Sequence, residues 1–321
     1  MAEPSGTVLV TSRSFGSGTR PYEEELTRAG LRVVRGSPVH DLAELKSALA
    51  EATAWIAGVA PITDAHLAAA PRLRIIARYG VGVDAVDLAA AARRGVTVTN
   101  TPGANSEAVA DLAVVLLLAA LRGVVPGDRR VRAGDWRPSR GHELGALTVG
   151  VVGLGRVGRG VARRLGGFGA RVLACDPYVA ASEGIELADL ATLARECHAV
   201  SLHAPGGSTL IDADWLARIR PGAVLVNTAR ADLVDEDAVA RALRAGRLAA
   251  YATDTLAGEG HVGGALLDED LADRVVVTPH IGAHTVEAVD RMGLGATTAV
   301  LDALSGRTPA NVVTDRGICN G

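Results

Sequence analysis

The sequence predicts an α/β fold of two parallel-sheet domains, one inserted into the other, and three observations predict it. Short β-branched runs alternate with helical patterns through residues 7–99. A second alternation runs from about residue 148 to 278 and opens on a glycine-rich turn in mid-chain. An apolar stretch at 105–122 and a small-residue helical stretch at 285–304 stand where a chain would cross from one domain to the other and back. Strands that alternate with helices form a parallel sheet covered on both faces.

Each element has its own signal. Residues 7–11 read as a strand, 22–29 as a helix stopped at Gly30, and 31–34 as a second strand. A helix at 42–52, a strand at 54–57, a helix at 64–70, a strand at 73–77, a helix at 86–94 and a strand at 96–99 complete the first series. The helix at 105–122 is apolar enough to be buried, either at a domain boundary or between subunits. Strands follow at 149–152, 172–175, 199–202, 223–226, 249–252 and 275–278, with helices at 212–218, 236–245 and 285–304. The expected division is residues 1–100 with 286–321 around an inserted 101–285.

The mid-chain turn reads Gly153-Leu154-Gly155-Arg156-Val157-Gly158, between a buried strand and a helix. Gly153 permits the tight turn, Gly155 leaves room for a pyrophosphate to approach backbone, and Gly158 lets the helix pack on the sheet. The helix that begins at Arg156 turns its unpaired amides and positive dipole end to the phosphates. Asp176 ends the next strand, about 20 residues on, where a carboxylate binds both ribose hydroxyls and repels a 2′-phosphate. The pattern predicts a dinucleotide site that takes NAD in preference to NADP.

Composition narrows the alternatives. Hydrophobic residues make up 48% and aromatics only 3%, so the core is aliphatic. A net charge of −3 with signs interspersed gives no footprint for nucleic acid or an anionic membrane. The basic run Arg129, Arg130, Arg132, Arg137 and Arg140 reads as a solvated or subunit-facing helix surface. Cys175, Cys197 and Cys319 make no disulfide framework and no metal-ligand spacing. With no basic-plus-apolar leader, and with apolar stretch 112–121 too short to span a bilayer, a reduced cytoplasmic protein is expected.

Three polar residues follow strand ends in the second half: Arg230, Glu259 and His280. Ligand sites of open α/β sheets lie at those ends, so the three can meet at one edge, in a cleft beside the other domain. An arginine forks onto a carboxylate, a histidine exchanges a proton near neutral pH, and a carboxylate raises its pKa and fixes its tautomer. On composition alone His142, His203 and His284 compete with His280 for the base.

Taken together the motifs resemble the D-isomer-specific 2-hydroxyacid dehydrogenase family, in its phosphoglycerate-dehydrogenase-like branch. They run in family order through Arg78-Tyr79-Gly80-Val81-Gly82-Val83-Asp84, Asn100-Thr101-Pro102-Gly103-Ala104-Asn105, the glycine turn with Asp176 and Pro177, His203-Ala204-Pro205, Asn227-Thr228-Ala229-Arg230, Asp254 to Glu259, and Thr278-Pro279-His280-Ile281-Gly282. The resemblance implies two Rossmann/flavodoxin-like domains, with NAD held by Gly153, Gly155, Arg156, Val157, Gly158, Asp176, Pro177, His203, Ala204, Pro205, Thr228, Ala229, Asp254, His280 and Gly282. It implies Arg230 as binder of the substrate carboxylate, His280 as acid and base, Glu259 as its partner, and Val81 and Gly82 as backbone donors.

The implied reaction moves a hydride between NAD(H) and a D-2-hydroxy acid/2-oxo acid pair. Ser12, Arg13, Arg78 and Tyr79 are the candidate contacts on the substrate side, where a phosphate or phosphonate would sit; the alternative for Arg13 is an exposed loop residue. An NAD(H)-sensing corepressor-like protein, or a dehydrogenase of a small inorganic or one-carbon anion, shares the same cofactor site. A homodimer through 105–122 and Trp136 is expected, and no metal or nucleic acid. The chain departs from the family pattern in three places. The loop Gly206-Gly207-Ser208-Thr209 is short, Ala231 and Asp232 follow Arg230 where a glycine is usual, and Ala57-Gly58 stand where an arginine is frequent. No C-terminal regulatory domain is expected after the last helix.

Overall fold

The structure, a computed structural model, describes residues 5–182, 184–258, 263–314 and 317–318. The chain forms two compact units, one of residues 1–105 with 283–321, the other of 106–282. The expected α/β architecture is present in both.

In the first unit the strands are β1 (Gly6–Val10), β2 (Leu31–Arg35), β3 (Ala54–Ala57), β4 (Ile75–Arg78) and β5 (Thr97–Thr99). They pair in parallel in the order β5-β4-β3-β1-β2. The second unit contributes β6 (Thr148–Val152), β7 (Arg171–Cys175), β8 (Glu186–Leu187), β9 (Ala199–Leu202), β10 (Ala223–Asn227), β11 (Leu248–Thr253) and β12 (Val275–Val277). Their order is β12-β11-β10-β9-β6-β7-β8, all parallel, with the chain reversing direction across the sheet between β6 and β9. That reversal is the switch point at which doubly wound sheets open a crevice.

The first sheet continues beyond the parallel set. Two strands, β13 (Val312–Thr314) and β14 (Gly317–Ile318), add antiparallel to β5 and to each other. The chain reaches this edge through the helix Val286–Leu304, and β13 pairs antiparallel with β5 there.

The helix Ser106–Arg122 differs from expectation in its placement. Ala110, Ala113, Val114, Leu116, Leu117 and Leu121 are buried in a cluster with Val149, Val151, Val224, Val226 and Ala252 of the second sheet. These buried residues are used inside the helix's own unit, while Val115 on the same helix is 56% exposed. Arg164 of the helix Arg156–Gly167 ties it there by ion pairs to Glu107 and Asp111. The helix Val124–Arg132 carries Arg129, Arg130 and Arg132 of the basic run, whereas Leu190–Glu196 is short and carries no signal strong enough to be expected. Among the described residues no single helix is long and apolar enough to cross a membrane.

A polar network is buried within the first unit, under the loops that follow β1, β2 and β3. The Nδ1 of His40 lies 3.1 Å from the carbonyl of Pro61, and its Nε2 lies 2.7 Å from Thr11 Oγ1. A carbonyl only accepts, so Nδ1 carries the proton and Nε2 accepts from the Thr11 hydroxyl. Thr11 Oγ1 in turn accepts from Trp55 Nε1 at 2.9 Å. The Nε2 of His66 donates to the carbonyl of His40 at 2.8 Å. Burial pushes the His40 imidazole down to about 4.

This fixes the sign of a pH dependence. The unfolded chain binds a proton at His40 below its ordinary value of 6.5, while the folded chain does not until about 4. Stability from His40 is complete above 6.5 and is lost as pH falls towards 4, by about 3 kcal/mol at most. Urea unfolding of the wild type against His40→Asn should show the wild type's advantage shrinking across that window; a pH-independent difference would contradict the assignment.

Candidate active site

The cofactor loop follows β6, where two glycines are required by geometry. Gly153 has φ +91°, and a Cβ there would lie 2.7 Å from the carbonyl carbon of His203. A Cβ on Gly158 would lie 1.8 Å from the carbonyl oxygen of Gly153. Helix Arg156–Gly167 is thereby pressed onto the end of β6. At Gly155, the residue preceding this helix, a Cβ would meet nothing within 4 Å. Open space in front of a helix N-terminus without a side-chain cap is what a pyrophosphate requires.

Asp176 closes the loop from the side. Its carboxylate accepts from Leu154 N at 2.7 Å and from Tyr178 N at 2.9 Å, one bond to each oxygen. Each oxygen keeps a lone pair for a further donor such as a ribose hydroxyl. Pro177 beside it is exposed. Two orphaned buried polar atoms lie in the expected cofactor residues: His203 Nδ1 and Thr228 Oγ1 have no hydrogen-bond partner among the described residues. The other ring nitrogen of His203, Nε2, lies 2.9 Å from Ser201 Oγ, and burial pushes the imidazole down to about 3, so it is neutral. The residues present fit a dinucleotide.

The candidate catalytic residues leave a neighbouring edge. The register aligns Asn227 of β10 with Thr253 of β11, and Thr253 with Val277 of β12. Three strand ends are therefore level, and Arg230, Asp254 and His280 leave them on one side of one sheet. Asn227 is fully buried and holds the first turn, accepting from Ala229 N at 3.0 Å and donating to the carbonyl of Arg230 at 2.8 Å. The guanidinium of Arg230 donates to the carbonyl of Ala229 at 2.8 Å.

Asp254, also buried, holds the second turn. Its carboxylate accepts from Ile281 N at 2.9 Å, Gly282 N at 2.7 Å and the Thr278 hydroxyl at 2.5 Å. For both amides to point at one carboxylate the chain must reverse at His280, which takes φ +54°. A non-glycine residue in that region costs on the order of 1 kcal/mol and persists only where neighbours enforce it. The exposed imidazole of His280 is thus presented from a rigid turn. Glu259 lies outside the described residues, as does Cys319.

In the first unit the loop 80–83 is braced from beneath. Arg78 is buried, its Nε donating to the carbonyl of Gly82 at 3.0 Å and its Nη1 to that of Ala57 at 2.8 Å. Asn100 Nδ2 donates to the carbonyl of Val81 at 2.8 Å, and Thr101 N to that of Gly80 at 3.0 Å. With three carbonyls of the loop held from one side, the amides of Val81 and Gly82 have no protein acceptor among the described residues. Arg78 therefore supports the loop. Tyr79 donates its hydroxyl to the carbonyl of Val289 at 2.9 Å. Ser12 is buried and Arg13 exposed.

The departures near Arg230 prove to be a single feature. Asp232 accepts from Gly207 N at 2.7 Å, and a Cβ on Gly206 would lie 2.8 Å from its carboxylate. The short loop folds onto the carboxylate of Asp232, two residues after Arg230. Neither Asn227 nor Asp232 stands out in the sequence as a positioning residue; an asparagine ending an otherwise apolar strand is the one signal that marks the first.

These features define an α/β protein with a dinucleotide-binding unit and an arginine–histidine edge suited to an oxygen-bearing, carboxylate-bearing substrate. Residues 114–282 match the NAD binding domain described as that of the D-isomer specific 2-hydroxyacid dehydrogenases. The chain is 44% identical over 291 residues to the D-3-phosphoglycerate dehydrogenase of Mycobacterium leprae, a match covering 87% of this chain and 54% of that protein. It is 36% identical over 260 residues to the glyoxylate reductase of Thermococcus litoralis, covering 76% of this chain and 78% of that one. The crystal structure of the TT0316 protein from Thermus thermophilus superposes with a TM-score of 0.88 at 37% identity, over 96% of this chain and all of that one. The chain belongs to the D-isomer specific 2-hydroxyacid dehydrogenase family and carries its NAD-binding domain. It spans about half the length of the phosphoglycerate dehydrogenase it matches.

The two glycines make separable predictions. Gly155→Ala, with open space around its Cβ and ordinary backbone angles, should melt within about 2 °C of the wild type yet bind NADH at least about tenfold more weakly, by fluorescence titration. Gly158→Ala should unfold at clearly lower temperature, because its Cβ meets backbone.

Proposed function

We propose that this chain is an NAD-dependent oxidoreductase that interconverts a D-2-hydroxy acid and its 2-oxo acid. The level ends of β10, β11 and β12, which bring Arg230, Asp254 and His280 to one edge, carry this reading. Bound NAD(H) supplies or accepts the hydride. Gly153, Gly155, Gly158 and the first turn at Arg156 and Val157 hold its pyrophosphate, and Asp176 with Pro177 its ribose. His203, Ala204, Pro205, Thr228, Ala229 and Gly282 line the remainder, and Asp254 lies towards the carboxamide.

Arg230 forks onto the substrate carboxylate. Val81 and Gly82 offer their amides to the same group. In reduction His280 gives a proton to the 2-oxo oxygen; in oxidation the neutral ring takes it from the hydroxyl. Glu259 stabilises the imidazolium and keeps the ring in one tautomer. The substrate-binding role belongs to residues 1–100 with 286–321 and the cofactor role to 101–285. Ser12 and Arg13 receive a second anion, a phosphate or phosphonate, where the substrate has one; Arg78 and Tyr79 serve by holding the surrounding loops. A reduced, cytoplasmic setting suits the free thiols of Cys175 and Cys197.

We also propose a homodimer through the helix Val124–Arg132 and the segment after it. Val124 is 56% exposed, Val131 40% and Trp136 78%, an apolar surface unusual for a solvated segment. Trp136→Asp with Val131→Asp should shift the sedimentation coefficient from dimer to monomer.

The reaction is tested by following NADH absorbance with a panel of 2-oxo acids, phosphorylated and unphosphorylated. His280→Ala should keep NADH affinity within about twofold and lose about 100-fold or more of turnover. Near-normal turnover would sink the assignment. Silence on every substrate, with tight NADH binding, would favour a sensor instead. Glu259→Gln should move the oxidation profile to lower pH, because removing the carboxylate lowers the pKa of the base.

A further inference from the structure

We propose that His40 is a positioning residue for substrate recognition, holding the backbone that leads from β1 into Ser12 and Arg13. The inference rests on the reading above, in which Ser12 and Arg13 meet the distal group of the substrate.

Ser12 and Arg13 are gripped on either side. On one side lies Thr11, the first residue after β1, only 2% exposed. Its hydroxyl is a hub: it donates to His40 Nε2 and accepts from Trp55 Nε1, with Gly58 N at 3.4 Å. The ring of His40 packs against the Trp55 indole with centroids 5.0 Å apart. Arg35, at the end of β2, holds the other side, donating to the carbonyls of Ser12 at 3.1 Å and Phe15 at 2.6 Å. A side chain at position 58 would run into the carbonyl of Thr11, its Cβ 2.8 Å away. The loops after β1, β2 and β3 are therefore one assembly, and His40 is the piece that links all three.

The geometry at His40 is enforced. The residue sits at φ +57°, in the left-handed region. Its ring meets Pro61 through Nδ1 and Thr11 through Nε2, while its carbonyl accepts from His66. The ionisable groups facing it are His66 and Arg78; Arg78 is cationic, so both the buried site and its neighbour favour the neutral ring. A neutral ring with one fixed tautomer donates to Pro61 and accepts from Thr11. It exerts no charge on a ligand, so its influence on substrate passes through loop position alone.

The two amide substitutions separate the two ring nitrogens. Asparagine places its NH2 near Nδ1, keeps the bond to Pro61, tolerates the left-handed backbone and loses the acceptor for Thr11. Glutamine reaches the Nε2 position and keeps that acceptor. His40→Asn should therefore raise KM for a 2-oxo acid bearing a second anion by about tenfold, with kcat and NADH affinity within about twofold. His40→Gln should restore KM to within about threefold of the wild type. If His40 acts through the Arg13 loop, the effect must vanish in an Arg13→Ala background.

Failure of each layer is distinguishable. Arg13→Ala with an unchanged KM for phosphorylated and unphosphorylated acids alike would remove the reading of Ser12 and Arg13, and this inference with it. Arg13→Ala with a raised KM, but His40→Asn at wild-type KM or equally damaging in both backgrounds, would overturn the positioning role alone. A fall in kcat or NADH affinity in His40→Asn that matches the change in KM would likewise overturn it, as a general loss of fold.

Discussion

Between Gly153 and Gly158 the chain passes so close to itself that two side chains had to be given up. A Cβ at either position would collide with backbone, at His203 in one case and at Gly153 in the other. That contact fixes how β6 exits the sheet, how helix Arg156–Gly167 is seated, and where β9 delivers His203 beside it. It also aims the first turn of the helix at the open space before Gly155. Asp176 then needs only two amide bonds, from Leu154 and Tyr178, to hold its carboxylate across the same opening. The cofactor site follows from a packing constraint; the charged groups come second.

The class of fold was legible because its signals are periodic. Buried parallel strands read as short, nearly continuous apolar runs, and those at 199–202 and 223–226 lie within or at the bounds of observed strands. The glycine turn was legible because Gly153 and Gly158 each answer a steric demand that no other residue meets, while Gly155 leaves open space before the helix. What stayed out of sight lacks periodicity or depends on partners far along the chain. Strand β8 spans two residues, and β13 three, and each is held by the strand it joins more than by its own propensity. The helix Ser106–Arg122 was legible as buried, but its composition could not say against what; only the sheet that receives Leu116 and Leu117 decides that.

The candidate site was readable in the sequence as a set of residues, and its supports were not. Arg230 and His280 stand after strands that sequence patterns locate. Asn227 and Asp254, which determine how those residues are presented, are buried polar groups whose partners are backbone amides and carbonyls. Such bonds leave little trace in composition. Asp232 makes the point most sharply: read alone, the short loop at 206–209 and the missing glycine after Arg230 are two deviations, yet the carboxylate of one accepts the amide of the other.

The same device recurs at every loop that offers something to a ligand. Arg78 and Asn100 hold the carbonyls of 81 and 82 so that the amides face away. Asp254 gathers the amides of 281 and 282 and so fixes the turn that carries His280. Thr11 and Arg35 grip both ends of the segment that carries Arg13. A buried polar group left without its partner costs about 1–3 kcal/mol, so each loop has one favoured position and a steep penalty for leaving it. Strand ends alone would leave these loops free to drift by an ångström or more, enough to weaken an oriented reaction severely. Precision at the exposed groups is therefore a property of buried ones, and a sequence comparison confined to the exposed groups misses where that precision originates.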